Sequence, residues 1–193
     1  MKTAYLLLIL ALLLFAFTAC TATKDNTGDN MKEIAVLETS KGTIEIELNR
    51  TAAPTTVENF IQYVKDGHYD NTVFHRVIKS FMVQGGGFTE DGNQKRTRAP
   101  IKIESNNGLK NIKGTIAMAR TADPNSATSQ FFINTADNDF LNYGYRDAGY
   151  TVFGKVITGM DVITKIESAQ TATKHGMQDW PKEEILIKKA YMK

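Results

Sequence analysis

The sequence predicts an all-β domain, a closed eight-stranded antiparallel barrel capped by two α-helices. Three observations lead there. Short apolar runs bounded by Gly, Asn, Asp or Pro recur from Ile34 to Tyr191, which is the spacing of strands and turns. Only two stretches, after Pro54 and after Thr158, place apolar residues at helical intervals. No internal repeat marks a second domain, and closing a sheet of many short strands removes its exposed edges. With 193 residues, 42% of them hydrophobic, the chain can bury one sizeable core. A net charge of +2 with both signs interspersed supplies no electrostatic footprint for nucleic acid. The single cysteine excludes an internal disulfide.

The chain opens on a targeting segment. Lys2 supplies a positive start, Tyr5 to Phe17 is an apolar run, and the small residues Thr18 and Ala19 precede Cys20. The run is shorter than the about 20 residues that a bilayer span needs, so residues 1–19 read as a signal peptide. The placement of Cys20 resembles the lipobox of bacterial lipoproteins, with Phe17 where leucine is usual. That resemblance implies cleavage before Cys20 and acylation of it, and several acyl chains anchor a protein stably. Residues 20–31, polar and aperiodic, read as the linker of this anchor. The expected location is the bacterial cell envelope, with the domain lipid-anchored and facing the periplasm or the cell exterior.

The folded part spans 32–193. A run beginning at Ile34 and the alternating Gly42–Asn49 flank Ser40-Lys41 and predict an antiparallel hairpin. Pro54 then stands at a favoured first helical position, Val57, Phe60, Ile61 and Val64 form one apolar face, and Gly67 reads as a left-handed cap. Pro100–Glu104, Gly114–Ala119, Phe131–Thr135 and Thr151–Ile157 predict further strands. Val162, Ile163 and Ile166 face inward on the second helix, and Ile185–Ile187 with Ala190 and Tyr191 makes the last strand.

The stretch Phe74–Gly87 carries the most chemistry. Two apolar runs flank Lys79-Ser80. Alternation puts Arg76 on one face with Phe74 and Ile78, and Met82 on one face with Gln84. If the runs pair with those faces coincident, a cation and an amide meet an apolar surface, the make-up of a small binding site. Other chemistries find less support. His68, His75 and His175 have no metal-ligand spacing, and His75 reads as a hydrogen-bonded structural residue pointing away from Arg76. Ser80, Ser126 and Ser129 lack a nucleophile elbow. Gly85-Gly86-Gly87 lacks the following helix and Lys-Ser/Thr of a phosphate loop and suggests a tight turn or close backbone approach.

Phe74-His75-Arg76-Val77-Ile78, Phe81-Met82-Val83-Gln84-Gly85-Gly86, Gly114–Ala119 and Ser129-Gln130-Phe131-Phe132-Ile133 together resemble, in order, the signature segments of cyclophilin-type peptidyl-prolyl cis-trans isomerases. The resemblance runs from about Glu33 to the C-terminus. It implies a barrel with two helices, proline-containing polypeptides as substrates, no metal and no other cofactor, and we expect a monomer. It also implies that Arg76 is the catalytic arginine and that Phe81, Met82, Phe132 and Leu141 form a proline pocket. By the same likeness Gln84 and Gln130 bond the substrate backbone, Ala119 and Arg120 pair their main chain with it, and Phe140 and Tyr150 form the rim. Many members carry tryptophan at the position of Phe140 and eukaryotic ones histidine at that of Tyr150; with the indole N–H donor lost at Phe140, tight cyclosporin binding is not expected, whereas isomerisation is expected to persist. A proline-binding module without turnover is the second reading, which intact Arg76 and Gln84 disfavour; a hydrolase is a distant third.

Overall fold

The computed structural model describes residues 32–193. The expected signal peptide, Cys20 and the expected linker to residue 31 lie outside the described residues. Among the described residues, eleven strands and two α-helices follow one another as β1 (Ile34–Thr39), β2 (Gly42–Leu48), α1 (Pro54–Lys65), β3 (Thr72–Val73), β4 (Arg76–Ile78), β5 (Met82–Gly85), β6 (Thr115–Met118), β7 (Phe131–Asn134), β8 (Val152–Thr158), α2 (Met160–Glu167), β9 (Thr171–Lys174), β10 (Met177–Pro181) and β11 (Leu186–Met192). Nine form one antiparallel sheet in the order β3-β11-β1-β2-β8-β6-β7-β5-β4, and β9 and β10 make a separate hairpin.

The all-β fold with two helices is as expected, with nine strand pieces in the sheet where eight strands were expected. No ladder joins the two ends of the sheet among the described residues. Those ends, β3 and β4, are successive pieces of one segment parted by Phe74-His75, so the sheet must curl until one stretch of chain serves both edges. The break also shifts the side-chain alternation. Phe74 donates its N–H to the Ile185 carbonyl (2.9 Å) and buries its ring against Phe131, on the side of Val77 and away from Arg76. Pro100–Glu104 is not a strand, since only the isolated bridge Ile101–Ala127 pairs it.

The β1–β2 hairpin forms because Ile44, Ile46 and Leu48 alternate with polar residues and bury one face. Thr39 Oγ1 pins its turn, accepting from Lys41 N–H (3.1 Å) and donating to the Gly42 carbonyl (2.7 Å). Helix α1 starts at Pro54 after Ala53, which has no side chain to cap it. Glu104 takes that role from a distant loop, accepting from the N–H groups of Thr55 (3.0 Å) and Thr56 (2.8 Å) and from Thr56 Oγ1 (2.7 Å). At the other end Gly67 (φ +64) lets His68 N–H reach the Tyr63 carbonyl and its own N–H reach that of Val64, a Schellman cap. The buried face presents Phe60 to Tyr69, Phe131 and Phe153, with ring centroids 5.1, 5.8 and 5.2 Å away. Helix α2 buries Val162, Ile163 and Ile166. The core thus fills one face of the curled sheet and leaves the other face of β4–β8 for a site.

Candidate active site

Register lines up the side chains of the site. Across β4 and β5, Arg76 faces Gln84, Val77 faces Val83 and Ile78 faces Met82. Val77 and Val83 enter the core, so their neighbours take the opposite face. The row beginning at Arg76 and Gln84 continues to Phe132 on β7, Ala117 on β6 and Val152 on β8. Met82, Ala117, Phe132, Leu141 and Val152 form an apolar cluster of their own, with Phe81, Ala119 and Tyr150 at its margin. Above it lies a cavity of about 230 Å³ lined by Arg76, Phe81, Met82, Gln84, Ala119, Arg120, Phe132, Leu141 and Tyr150. All the residues expected in the site line it except Gln130 and Phe140. Larger still is a recess of about 470 Å³ at Thr51, Ala52, Ile103–Asn107 and Tyr143, but it holds no cation and no apolar slot, and its one carboxylate, Glu104, is spent on capping α1.

The polar end of the cavity is built from three side chains. Arg76, 43% exposed, places Nε 3.7 Å from Asp179 Oδ2. Gln84 Nε2 donates to Gln130 Oε1 (2.9 Å), which ties Gln130 to the site from just outside the lining. The glycines make room for this. A Cβ on Gly87 would stand 2.6 Å from Gln130 Cγ, and one on Gly86 (φ +83) would strike the Tyr69 and Phe131 rings. Close backbone approach is therefore the reason for Gly86-Gly87.

Arg120 departs from a simple main-chain role. Its side chain is 5% exposed and clamps the 142–150 loop, donating to the Gly149 and Thr121 carbonyls (both 2.9 Å) and to Asp147 Oδ1 (3.0 Å). The guanidinium also lies 4.6 Å over the Tyr150 ring, which meets Phe132 edge-on at 5.6 Å. Its own N–H and C=O have no partner among the described residues, whereas Ala119 N–H is bonded to the Gln130 carbonyl (3.0 Å). An extended peptide can therefore pair at Arg120. Phe140 stands behind the wall, stacked on Phe81 at 5.6 Å with Arg146 5.0 Å over its outer face.

Beneath the wall is a network of buried asparagines that sequence reading missed. Asn138 Nδ2 donates to the Phe81 carbonyl and to Asn134 Oδ1, both at 2.8 Å, and Asn134 Nδ2 donates to Asn111 Oδ1 (3.2 Å). Asn142 Oδ1 accepts from Asn111 N–H (2.7 Å). Five asparagines between 111 and 142, four of them in this network, were the available signal, but polar residues near turns read as loop. His75 is 3% exposed, enclosed by Phe88 and Trp180 at 4.7 and 6.0 Å, with the Val73 backbone and the Gln130 side chain as polar neighbours, though Nδ1 forms no well-aligned hydrogen bond among the described residues. Burial pushes its pKa down to about 4, so it is neutral at pH 7 and carries no charge beside Arg76.

The model of the family described as cyclophilin type peptidyl-prolyl cis-trans isomerase/CLD matches residues 34–192. The chain belongs to this family. Among related cyclophilins, peptidyl-prolyl cis-trans isomerase A of Dickeya dadantii is 54% identical over 155 residues, covering 80% of this chain and 82% of that protein. Peptidyl-prolyl cis-trans isomerase B of Escherichia coli is 51% identical over 157 residues, covering 80% and 96%. A crystal structure of a Cryptosporidium parvum cyclophilin, determined in the presence of the dipeptide ala-pro, superposes with a TM-score of 0.69 at 29% identity and covers 83% of this chain and 98% of that one. In the present cyclophilin the β9–β10 hairpin also borders the site, and sequence reading missed it. His175-Gly176 between two short polar runs was its only mark.

Proposed function

We propose that this cyclophilin catalyses rotation about X-Pro peptide bonds in polypeptides and, lipid-anchored through Cys20, assists the folding of proteins outside the cytoplasm. One observation carries the catalytic reading: Arg76 and Gln84 are register partners at the mouth of an apolar slot walled by Phe81, Met82, Phe132 and Leu141. Amide resonance opposes rotation with a barrier of about 18–20 kcal/mol, and no bond has to be made or broken. A catalyst need only bind the twisted amide better than either planar form. The slot grips the rigid proline ring while Arg120 main chain and Gln84 hold the peptide on either side. As the amide twists, its nitrogen becomes pyramidal and basic, and the Arg76 guanidinium donates to it and to the neighbouring carbonyl. Donors aimed at a charge distribution that exists only in the transition state contribute about 3 kcal/mol. Exchange spectroscopy on a proline-containing peptide tests the reading. The protein accelerates exchange and Arg76→Ala loses about a hundredfold; an Arg76→Ala variant as fast as wild type would sink it.

The anchor rests on Lys2, the apolar run Tyr5–Phe17 and Cys20 after two small residues. No helix among the described residues is long and apolar enough to cross a membrane. Mass spectrometry of the mature protein is expected to find an acylated N-terminal Cys20. Cleavage elsewhere with a free thiol would exclude the anchor and leave the enzymatic reading intact.

A further inference from the structure

Arg76 reaches the cavity from the first position of β4, and no hydrogen-bond acceptor holds its guanidinium among the described residues. A long side chain so placed has many rotamers, few of which point its donors at a substrate. Asp179 restricts them. Its Oδ2 lies 3.7 Å from Arg76 Nε, and it sits on β10, which packs beside β4 although more than a hundred residues separate them in sequence. Both side chains are reached by water, so the pair does little for stability; what it constrains is direction.

The hairpin is shaped to present this carboxylate. His175 and Gly176 both have positive φ (+52° and +76°), the requirement of a tight two-residue hairpin turn. Beyond the turn the register slips between Met177 and Trp180, a bulge of the kind that re-aims a side chain. Within it Asp179 takes φ +60°, the left-handed region that aspartate enters more readily than most residues. Its neighbour Trp180 is fully buried and donates Nε1–H to Glu184 Oε2 (2.9 Å), which anchors the strained residue.

We propose that Asp179 is a positioning residue for Arg76: its carboxylate engages the Nε edge of the guanidinium and leaves the two Nη groups directed at the cavity. The proposal rests on the isomerase reading above. The carboxylate charge opposes the field of Arg76 at the substrate, but water screens it there, and the gain in orientation is the larger effect.

The test uses the full chain with a proline-containing peptide. Asp179→Ala lowers kcat/KM about tenfold, carried by kcat with KM within about twofold, because the interaction it supports is made only in the transition state. Asp179→Asn, which keeps an acceptor for Nε–H, recovers most of the rate. In an Arg76→Ala background Asp179→Ala has no further effect. The Arg76 Nε–H NMR signal shifts and broadens in Asp179→Ala but not in Glu183→Ala, which removes another carboxylate standing 3.7 Å from a cation. An unchanged or raised rate, an equal loss in both backgrounds, or an unmoved Nε–H signal would overturn the proposal. Should wild type fail to accelerate exchange, the isomerase reading falls, and the Nε–H signal alone still decides whether Asp179 holds Arg76.

Discussion

Arg76 and Gln84 face each other across the β4–β5 ladder, and Gln84 passes a hydrogen bond on to Gln130 at 2.9 Å, so a guanidinium and two amides are linked at the polar end of one cavity. Gln84→Leu keeps the bulk, removes the amide and strands Gln130 Oε1. A lost hydrogen bond of about 1–1.5 kcal/mol corresponds to roughly a tenfold fall in kcat/KM. Gly87→Ala should also lower it with both glutamines retained in the sequence, because the new Cβ displaces Gln130. Peptide exchange rates on the two variants check both outcomes.

Arg120 holds Tyr150 in place through the loop that it clamps. Arg120→Ala leaves the Gly149 and Thr121 carbonyls without this donor and uncovers one face of the Tyr150 ring. Urea denaturation is expected to show a loss of about 2–3 kcal/mol, and peptide kinetics a raised KM as the wall at Tyr150 loosens. Arg120→Lys should not restore either, since an ammonium cannot reach several acceptors in one plane while lying flat on a ring.

What the sequence made legible followed from periodicity. Val57, Phe60, Ile61 and Val64 mark the inner face of α1 because a helix repeats on itself, and the break at Lys79-Ser80 marks β4 and β5 as a hairpin, although the register that pairs Arg76 with Gln84 comes from a connection one residue longer, Lys79–Phe81. Pattern alone reached only the 74–87 part of the cavity. Leu141 and Tyr150 came from family resemblance, because no local period links them to β4. Illegible were the features set by tertiary geometry: the burial of Phe74 where the segment changes sheet edges, the failure of Pro100–Glu104 to find a ladder, and the bulge that aims Asp179 at Arg76. Each depends on a partner far away in sequence.

Asn138 supports Phe81 from below. Asn138→Ala leaves Asn134 Oδ1 without that donor, in a place closed to water, and removes one of the two donors to the Phe81 carbonyl. The expected cost is about 1–3 kcal/mol in denaturation. Because Phe81 lines the cavity, KM for a proline peptide should rise as well; a variant that lost stability with unchanged KM would limit the network to a folding role.

His75 gives the fold a pH dependence of definite sign. Burial holds its pKa near 4 in the folded chain, against about 6.5 for an unfolded histidine. Between those values the unfolded chain binds the extra proton, so stability falls as pH drops from about 6.5 towards 4 and is insensitive to this group above about 7. The full effect is about 3 kcal/mol. His68, whose pKa burial also lowers, acts in the same direction. The carboxylate of Glu104 behaves differently: burial raises its pKa, the bonds from Thr56 and Thr55 outweigh that and lower it, and its contribution is lost only as pH falls below about 4.5. Urea midpoints measured from pH 8 to 4 should therefore decline across the histidine window in wild type, and His75→Leu, which keeps an apolar group between Phe88 and Trp180, should flatten most of that decline. An identical slope in the variant would place the titration elsewhere.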